Sequence, residues 1–301
     1  MSLGSVDRVT DAAASAHAPG MRPAWSWRLV PAGLACLAAP AFFVARIPWA
    51  GWMLLAAALV AAWLVQRHEN PSAAEGEGMR APSLLRDLSL IAAGMLIVSS
   101  IPLKAELDNA AMVRFGVALG GAVVVPYLAS RYVYRDRAIR FPWRGGGRWR
   151  PWQWAWLVGA LIAGWLVLPP YFIGSGVYQN WPVVDTPDLI ARLFIGVGVV
   201  GIWDELFFIC IVFALLRRHV PDWQANLLQA IVFVSFLWEL GYQAWGPLLT
   251  IPFALMQGFI FTVTRSLAFV VTGHLLFDAT VFLVLVHAHN PGVLDGLFPF
   301  G

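Results

Sequence analysis

Apolar residues run along this chain in nine blocks, and short segments rich in arginine, glycine and proline separate them. A helix needs about 20 apolar residues to cross the hydrocarbon core of a bilayer, and each block meets or approaches that length. The pattern predicts an all-α polytopic membrane bundle of about nine transmembrane helices. The blocks are Leu29–Val44, Trp49–Val65, Leu84–Ile101, Ala110–Ala129, Trp152–Leu168, Leu189–Leu216, Trp223–Leu240, Pro247–Val263 and Leu267–Val286.

The composition supports a membrane protein. Of the 301 residues, 59% are hydrophobic and 12% are charged, whereas about 25% of the residues of a soluble domain are charged. The formal net charge of +3 is small and gives no indication of a nucleic-acid partner. The expected partner is the lipid bilayer. Cys36 and Cys210 both lie in apolar blocks, which favours packing over a disulfide.

Arginines concentrate in alternate loops. One side of the predicted membrane carries most of them, including seven between Ser130 and Pro151, whereas loops on the other side carry only Arg46 and Lys104. The positive-inside rule then places the N-terminus in the cytoplasm and the C-terminus outside. We expect an integral protein of a bacterial inner or plasma membrane.

The chain divides into four predicted regions. Residues 1–27 lack periodicity and predict a disordered cytoplasmic tail; a signal peptide is the alternative, but the polar lead is long for one. Residues 28–129 form a four-helix N-terminal membrane region. Residues 130–151 form a basic cytoplasmic linker, read as an orientation signal, with an anionic-lipid site as the alternative. Residues 152–301 form a five-helix membrane domain.

Ionisable residues well inside the blocks mark the candidate site. They occupy three of the last four blocks, and the first four blocks contain none near their centres. A charged group inside hydrocarbon is costly unless it is paired or faces a wet cavity. The alternative is a purely structural role for the whole set. The residues are Asp204, Glu205, Glu239, His274 and Asp278.

Helical spacing predicts how these groups are presented. His274 and Asp278 are four residues apart and share a helix face. Asp204 and Glu205 diverge by about 100° around the axis, so we expect one to face the shared cavity and the other to reach a neighbouring helix. Counted from the cytoplasmic ends of the helices, His274 lies about 10 Å less deep in the membrane than Asp204 and Glu239. The groups therefore meet only if Arg265 and Ser266 are buried or the last two helices tilt.

Three segments resemble the CPBP (CAAX protease and bacteriocin-processing) family of intramembrane proteases. Asp204–Arg218 is similar to the family's Glu-Glu-x-x-x-Arg helix. Ser235-Phe-Leu-Trp-Glu239 stands in the place of its Phe-x-x-x-His motif. Thr264–Asp278 is similar to its final motif, in which Ser-Leu leads to His-x-x-x-Asn. The similarity covers about the last 115 residues and implies the family's fold in this half of the chain.

The resemblance implies a role for each residue. Asp204 takes the place of the water-activating glutamate, with Glu205 as the second acid. Glu239 stands where the family has a histidine that holds the same water. His274 matches the histidine that stabilises the oxyanion, and Asp278 replaces its asparagine partner. Ile209 stands where the arginine is expected.

Apart from Ile209, the departures share one direction, because each of the other replaced positions keeps or gains a carboxylate. Four carboxylates and one imidazole also suit a divalent metal such as Zn, Mn or Fe. The possible ligands are the same five candidates: Asp204, Glu205, Glu239, His274 and Asp278. His287 and His289 form a further pair that we interpret as solvated.

Three functions remain open. The first is an intramembrane peptidase or hydrolase, with a membrane-associated peptide or lipidated substrate and water activated by the buried carboxylates. The second is a catalytically inactive membrane partner protein on the same scaffold, which the replaced motif residues favour. The third is a metal-dependent membrane enzyme of another class. A proton-coupled transporter is a weaker fourth interpretation, because the sequence shows no inverted repeat and no pair of helices broken by glycine or proline.

Overall fold

The computed structural model describes residues 26–69, 82–145 and 147–298. These residues form an all-helical bundle without strands, which confirms the predicted fold class. The predicted tail lies outside the described residues except for Ser26 and Trp27. The nine helices of the described ranges are α1 Leu29–Val44, α2 Pro48–Glu69, α3 Leu84–Val98, α4 Asn109–Val133, α5 Pro151–Phe172, α6 Pro187–Leu216, α7 Asp222–Leu240, α8 Pro247–Thr264 and α9 Leu267–His289.

Six of these helices are long and apolar enough to cross a membrane: α2, α4, α5, α6, α8 and α9. The other three are shorter or more polar, and each coincides with a predicted block. Proline at the first turn or a side-chain cap marks most starts, since either accommodates the unpaired N–H groups there. Capping oxygens accept from backbone N–H groups at Ser83, Asp108, Thr186 and Ser266.

The two predicted membrane regions share one hydrophobic core, which runs from α1–α4 into α6–α9. Phe43 of α1 meets Phe236 of α7 edge to face, with ring centroids 6.3 Å apart. The indole N–H of Trp203 in α6 donates to the carbonyl of Leu119 in α4 at 2.7 Å. The N-terminal helices therefore pack as part of the bundle that holds the candidate site.

α6 changes its winding in the middle. It is α-helical over Pro187–Asp204 and π-helical over Glu205–Phe213, and a final α-helical turn covers Ala214–Leu216. The π segment is buried along nearly its whole length. π-helical turns inside α-helices are rare and frequently mark functional sites. This one begins at the acidic pair.

The basic linker covers the start of α9. The carbonyls of Pro142 and Trp143 accept from the backbone N–H groups of Leu267 and Ala268 at 2.8 and 3.2 Å. Ser266 is only 2% exposed, whereas Arg265 is exposed. The depth expectation is thus met at Ser266 and not at Arg265, and the bundle end that carries the linker is called the linker end below.

A second buried ionisable group, the linker-end cluster, consists of Asp87, Asp136, Arg218 and His219. Asp87 contacts Arg218 at 2.8 Å and His219 at 2.6 Å, and it is fully buried. It lies in the first turn of α3, near the start of a predicted block and away from its centre. The cluster ties α3 to the C-terminal end of α6.

Candidate active site

Asp204 and Glu205 lie where α6 passes from α to π geometry. Both are almost completely buried, at 2% and 1% exposure. Asp204 lines a cavity and Glu205 does not; Glu205 instead faces α8 and α9. This is the arrangement that the 100° divergence of adjacent helical residues predicts.

His274 of α9 joins the two acids. Its Nδ1 lies 2.6 Å from Oε1 of Glu205. Its Nε2 lies 3.6 Å from Oδ2 of Asp204 and 3.8 Å from Oδ1 of Asp278. One imidazole thus has a direct hydrogen bond on one side and two carboxylates at longer range on the other. These four residues are called the central cluster: Asp204, Glu205, His274 and Asp278.

Gln257 of α8 also belongs to the site. Its Nε2 donates to the same Oε1 of Glu205 at 2.6 Å. With Glu205 as a carboxylate, Oε1 accepts from both the amide and the imidazole, so that Nδ1 of His274 carries the hydrogen and Nε2 is left for the cavity. Gln257 was not among the predicted site residues; the available signal was an amide in a largely apolar block.

Gly201, one turn before the acidic pair, lets α9 approach α6. A Cβ at this position would collide with Oδ2 of Asp278. Only glycine leaves room for a carboxylate that close to the α6 backbone. The approach brings Asp278 to the same side of His274 as Asp204.

A cavity of about 320 Å³ leads to the central cluster. Asp204, His274 and Asp278 lie along its wall, and Phe253, whose ring is 4.9 Å from that of His274, lines it too. Most of the remaining lining is apolar. Trp181, in the connection between α5 and α6, also lines the cavity, so that connection helps to enclose the site.

Glu239 lies apart from the other four candidates. It is half-buried near the end of α7, and Oε1 accepts from the N–H of Leu103 at 3.5 Å. It lines a different cavity. The structure therefore brings together four of the five predicted residues and leaves Glu239 outside. Ile209, in the place of the family's arginine, is buried in the π segment.

The metal prediction gains no geometric support. Within residues 26–69, 82–145 and 147–298, no group of three or more His, Cys, Asp or Glu side chains is placed to hold a metal ion. In the central cluster, Nδ1 of His274 is already bonded to Glu205. Nδ1 of His287 and of His289 contact the carbonyls of Val293 and Leu285, respectively.

Comparisons with known proteins agree with the motif resemblance in one segment. Neither curated proteins nor solved structures gave a match. One family model does match, over residues 186–280. This segment begins at the cap of α6 and contains the whole central cluster. Residues 186–280 of this chain match the family model described as type II CAAX prenyl endopeptidase Rce1-like, which supports the CPBP resemblance of its motifs.

Proposed function

We propose that the chain is an intramembrane endopeptidase that cleaves prenylated peptides at the central cluster. Three observations support the proposal: the family match over 186–280, the convergence of four ionisable side chains, and the apolar cavity that reaches them. The single observation that carries it is the placement of His274 between Glu205 and the two cavity-lining carboxylates.

The geometry suits activation of a water molecule. Contacts of 3.6 and 3.8 Å from Nε2 of His274 to Asp204 and Asp278 are too long for direct hydrogen bonds, and a water in the adjoining cavity can contact Nε2 and a carboxylate at the same time. Because Nδ1 donates to Glu205, Nε2 is free to accept a proton from that water as a general base. Asp204 holds the other hydrogen of the water and so orients the attacking oxygen.

Asp278 is assigned to the scissile carbonyl group of the substrate. As a neutral carboxylic acid it donates a hydrogen bond to the oxygen of the scissile carbonyl, on which negative charge develops. The proton taken by His274 then passes to the leaving amine, which balances the hydrolysis. Glu239 has no part in this scheme, because it lies in the other cavity.

Gln257 and Glu205 position the base. Glu205 accepts from both the Gln257 amide and the His274 ring. This pair fixes the orientation and the tautomer of His274, as a carboxylate does for a catalytic histidine in hydrolases. Neither residue contacts substrate in this scheme.

Cleavage of a prenylated peptide by the purified full-length chain tests the proposal. The wild type is expected to release a peptide fragment, and the double variant Glu205→Ala, His274→Ala is expected to release none. Arg67→Gln, at an exposed arginine of α2 outside the site, serves as the control. Cleavage that survives in the double variant contradicts the assignment.

Two other functions stay as predictions. The position of Glu239 favours a catalytically inactive partner protein, because the residue in the place of the family's histidine lies outside the central cluster. A cellular phenotype that persists in the double variant Asp204→Asn, His274→Asn at normal protein levels supports this function. A metal enzyme requires stoichiometric Zn, Mn or Fe, and elemental analysis of purified and reconstituted protein tests that requirement.

A further inference from the structure

The cavity that contains Glu239 is formed by chain segments that end at the side of the bundle opposite the linker. It measures about 730 Å³. The segments are the ends of α1, α3 and α7, the start of α2, and a short 3-10 turn over Val177–Asn180. It adjoins the active-site cavity, since Lys104 and Leu240 line both. It is called the polar cavity below.

Exposed tryptophans beside the polar cavity point to the level of lipid headgroups. Trp49 and Trp52 follow its Arg46–Pro48 edge and are 62% and 56% exposed. Exposed tryptophans at helix ends concentrate where a membrane meets water. Phe42, Phe43 and Ile101 supply apolar wall beside the polar groups. The cavity therefore suits a molecule with a charged end and an apolar remainder.

Three charged side chains line the polar cavity: Arg46, Lys104 and Glu239. Within the described part of the chain, none of them forms an ion pair within 4 Å. Two arginines at the same end do: Arg114 pairs with Glu106 and Arg192 with Asp188, each at 2.8 Å. Arg46 is near enough to act on Glu239 electrostatically, although the two side chains form no ion pair.

Backbone geometry fixes Arg46 at the cavity edge. It has a left-handed conformation, with φ of 55°, which non-glycine residues seldom adopt. The hydrogen bond from the N–H of Ile47 to the carbonyl of Ala41, at 2.8 Å, closes the turn around it. Glu239 is held by the N–H of Leu103 through Oε1.

We propose that the polar cavity binds a phosphate ester with a neighbouring primary ammonium group, as in a phosphoethanolamine headgroup. Arg46 and Lys104 bind the phosphate oxygens, since basic sites between transmembrane helices recognise lipid phosphates. Glu239 accepts hydrogen bonds from the ammonium, and charge-assisted hydrogen bonds of this kind are the strong ones. This proposal does not depend on the proposed peptidase activity.

The chemistry makes a sharp distinction among headgroups. A phosphocholine group carries no N–H donor for Glu239, and a phosphoglycerol group carries no cation. Dissociation constants of the detergent-purified full-length chain for phosphatidylethanolamine, phosphatidylcholine and phosphatidylglycerol, measured by native mass spectrometry, test the order. Phosphatidylethanolamine is expected to bind about tenfold more tightly than either of the others. Equal binding of the three lipids overturns the proposal.

Variants separate the roles of the charges. Glu239→Gln keeps the shape of the side chain and is expected to remove the preference for ethanolamine over choline. Arg46→Gln and Lys104→Gln are expected to weaken the binding of phosphatidylethanolamine and phosphatidylcholine about equally. Arg67→Gln is expected to change the binding of neither lipid. An unchanged preference in Glu239→Gln overturns the assignment of Glu239, provided the variant elutes and melts as the wild type does.

Free phosphoethanolamine distinguishes the source of the ligand. If it displaces phosphatidylethanolamine from the wild type at similar concentrations, the headgroup alone is bound and a soluble amino-phosphate qualifies. If it fails to displace the lipid, the apolar wall contributes and the ligand is the lipid. Displacement by inorganic phosphate as effective as by phosphoethanolamine overturns the role of the ammonium.

Discussion

Two buried ionisable clusters lie in this bundle, and they differ in what surrounds them. The linker-end cluster contains two carboxylates, a histidine and Arg218, whose guanidinium contacts Asp87 directly. The central cluster contains three carboxylates and one histidine, and its ion pairs in the described residues include no lysine or arginine. The first cluster contains a permanent cation, whereas the second lines a cavity.

Unsatisfied polar atoms do not distinguish the two. Among the described residues, Asp136 and His219 each bury one atom without a hydrogen-bond partner, and so do Asp204 and Glu205. Both clusters are therefore alike in burying polar atoms and in the free-energy cost of that burial. Access through an apolar cavity and the lack of a permanent cation are the features that separate a candidate active site from a structural cluster.

The largest contrast is expected between the two buried histidines. His274→Asn is expected to lower kcat for prenylated-peptide cleavage by about 10³-fold, because the general base is lost, with little change in melting temperature. The matched variant His219→Asn is expected to lower the melting temperature and keep the activity of the folded fraction. A parallel loss of activity in both variants contradicts the distinction.

Removing the carboxylate of the linker-end cluster is expected to affect stability. Asp87→Ala leaves Arg218 and His219 without their shared partner, and breaking a buried ion pair in this way costs about 3 kcal/mol. Denaturation in mixed micelles measures the loss in free energy of unfolding. Activity per folded molecule should stay at the wild-type level, and a stability equal to that of the wild type would show that the cluster contributes nothing.

The close approach at Gly201 can be tested with one methyl group. Gly201→Ala places a Cβ against Asp278 and is expected to reduce kcat by about 10²-fold through displacement of a site residue. Gly198→Ala, one turn earlier, meets nothing within 4 Å and serves as the control. Equal activity of the two variants would show that the position of Asp278 is unimportant.

The smallest expected effect concerns the residue that orients Glu205. Gln257→Leu removes one donor to Glu205 and is expected to lower kcat about tenfold with KM unchanged, since a positioning hydrogen bond of this kind is worth about 1–2 kcal/mol. Gln229→Leu is the control: Gln229 is also buried but donates to Asn226 and Ala254. A rise in KM alone would assign Gln257 to substrate binding.

The sequence predicted the helices well, because a long apolar block in a membrane has few alternatives to a helix. It also predicted that Asp204 and Glu205 would diverge. It did not predict the partner of Glu205, since Gln257 is a neutral residue and the cost of burying an amide is modest beside that of a charge. Asp87 was passed over because it lies at a helix start, where the sequence pattern resembles a loop.

Glu239 shows the limit of motif position. Its place in the order of motifs predicted a site residue, but position along a helix does not fix the direction of a side chain once helices end and loops fold back. Leu103, far from Glu239 in the chain, supplies the N–H that holds it in the polar cavity. Only the path of the segment that follows α3, which carries Leu103 to the end of α7, decides that contact.

The sequence by itself determined an all-helical membrane fold, the approximate helix bounds and the acidic pair at the centre of α6, because hydrocarbon demands continuous apolar helices and makes a charge near the middle of an apolar block conspicuous. The tertiary structure alone decided which of those charges meet. It brought His274 between Glu205 and the two cavity-lining aspartates through a π-helical turn and the space left by Gly201. Contacts between distant helices depend on winding and packing at the scale of a single methyl group, and no local pattern of residues records them.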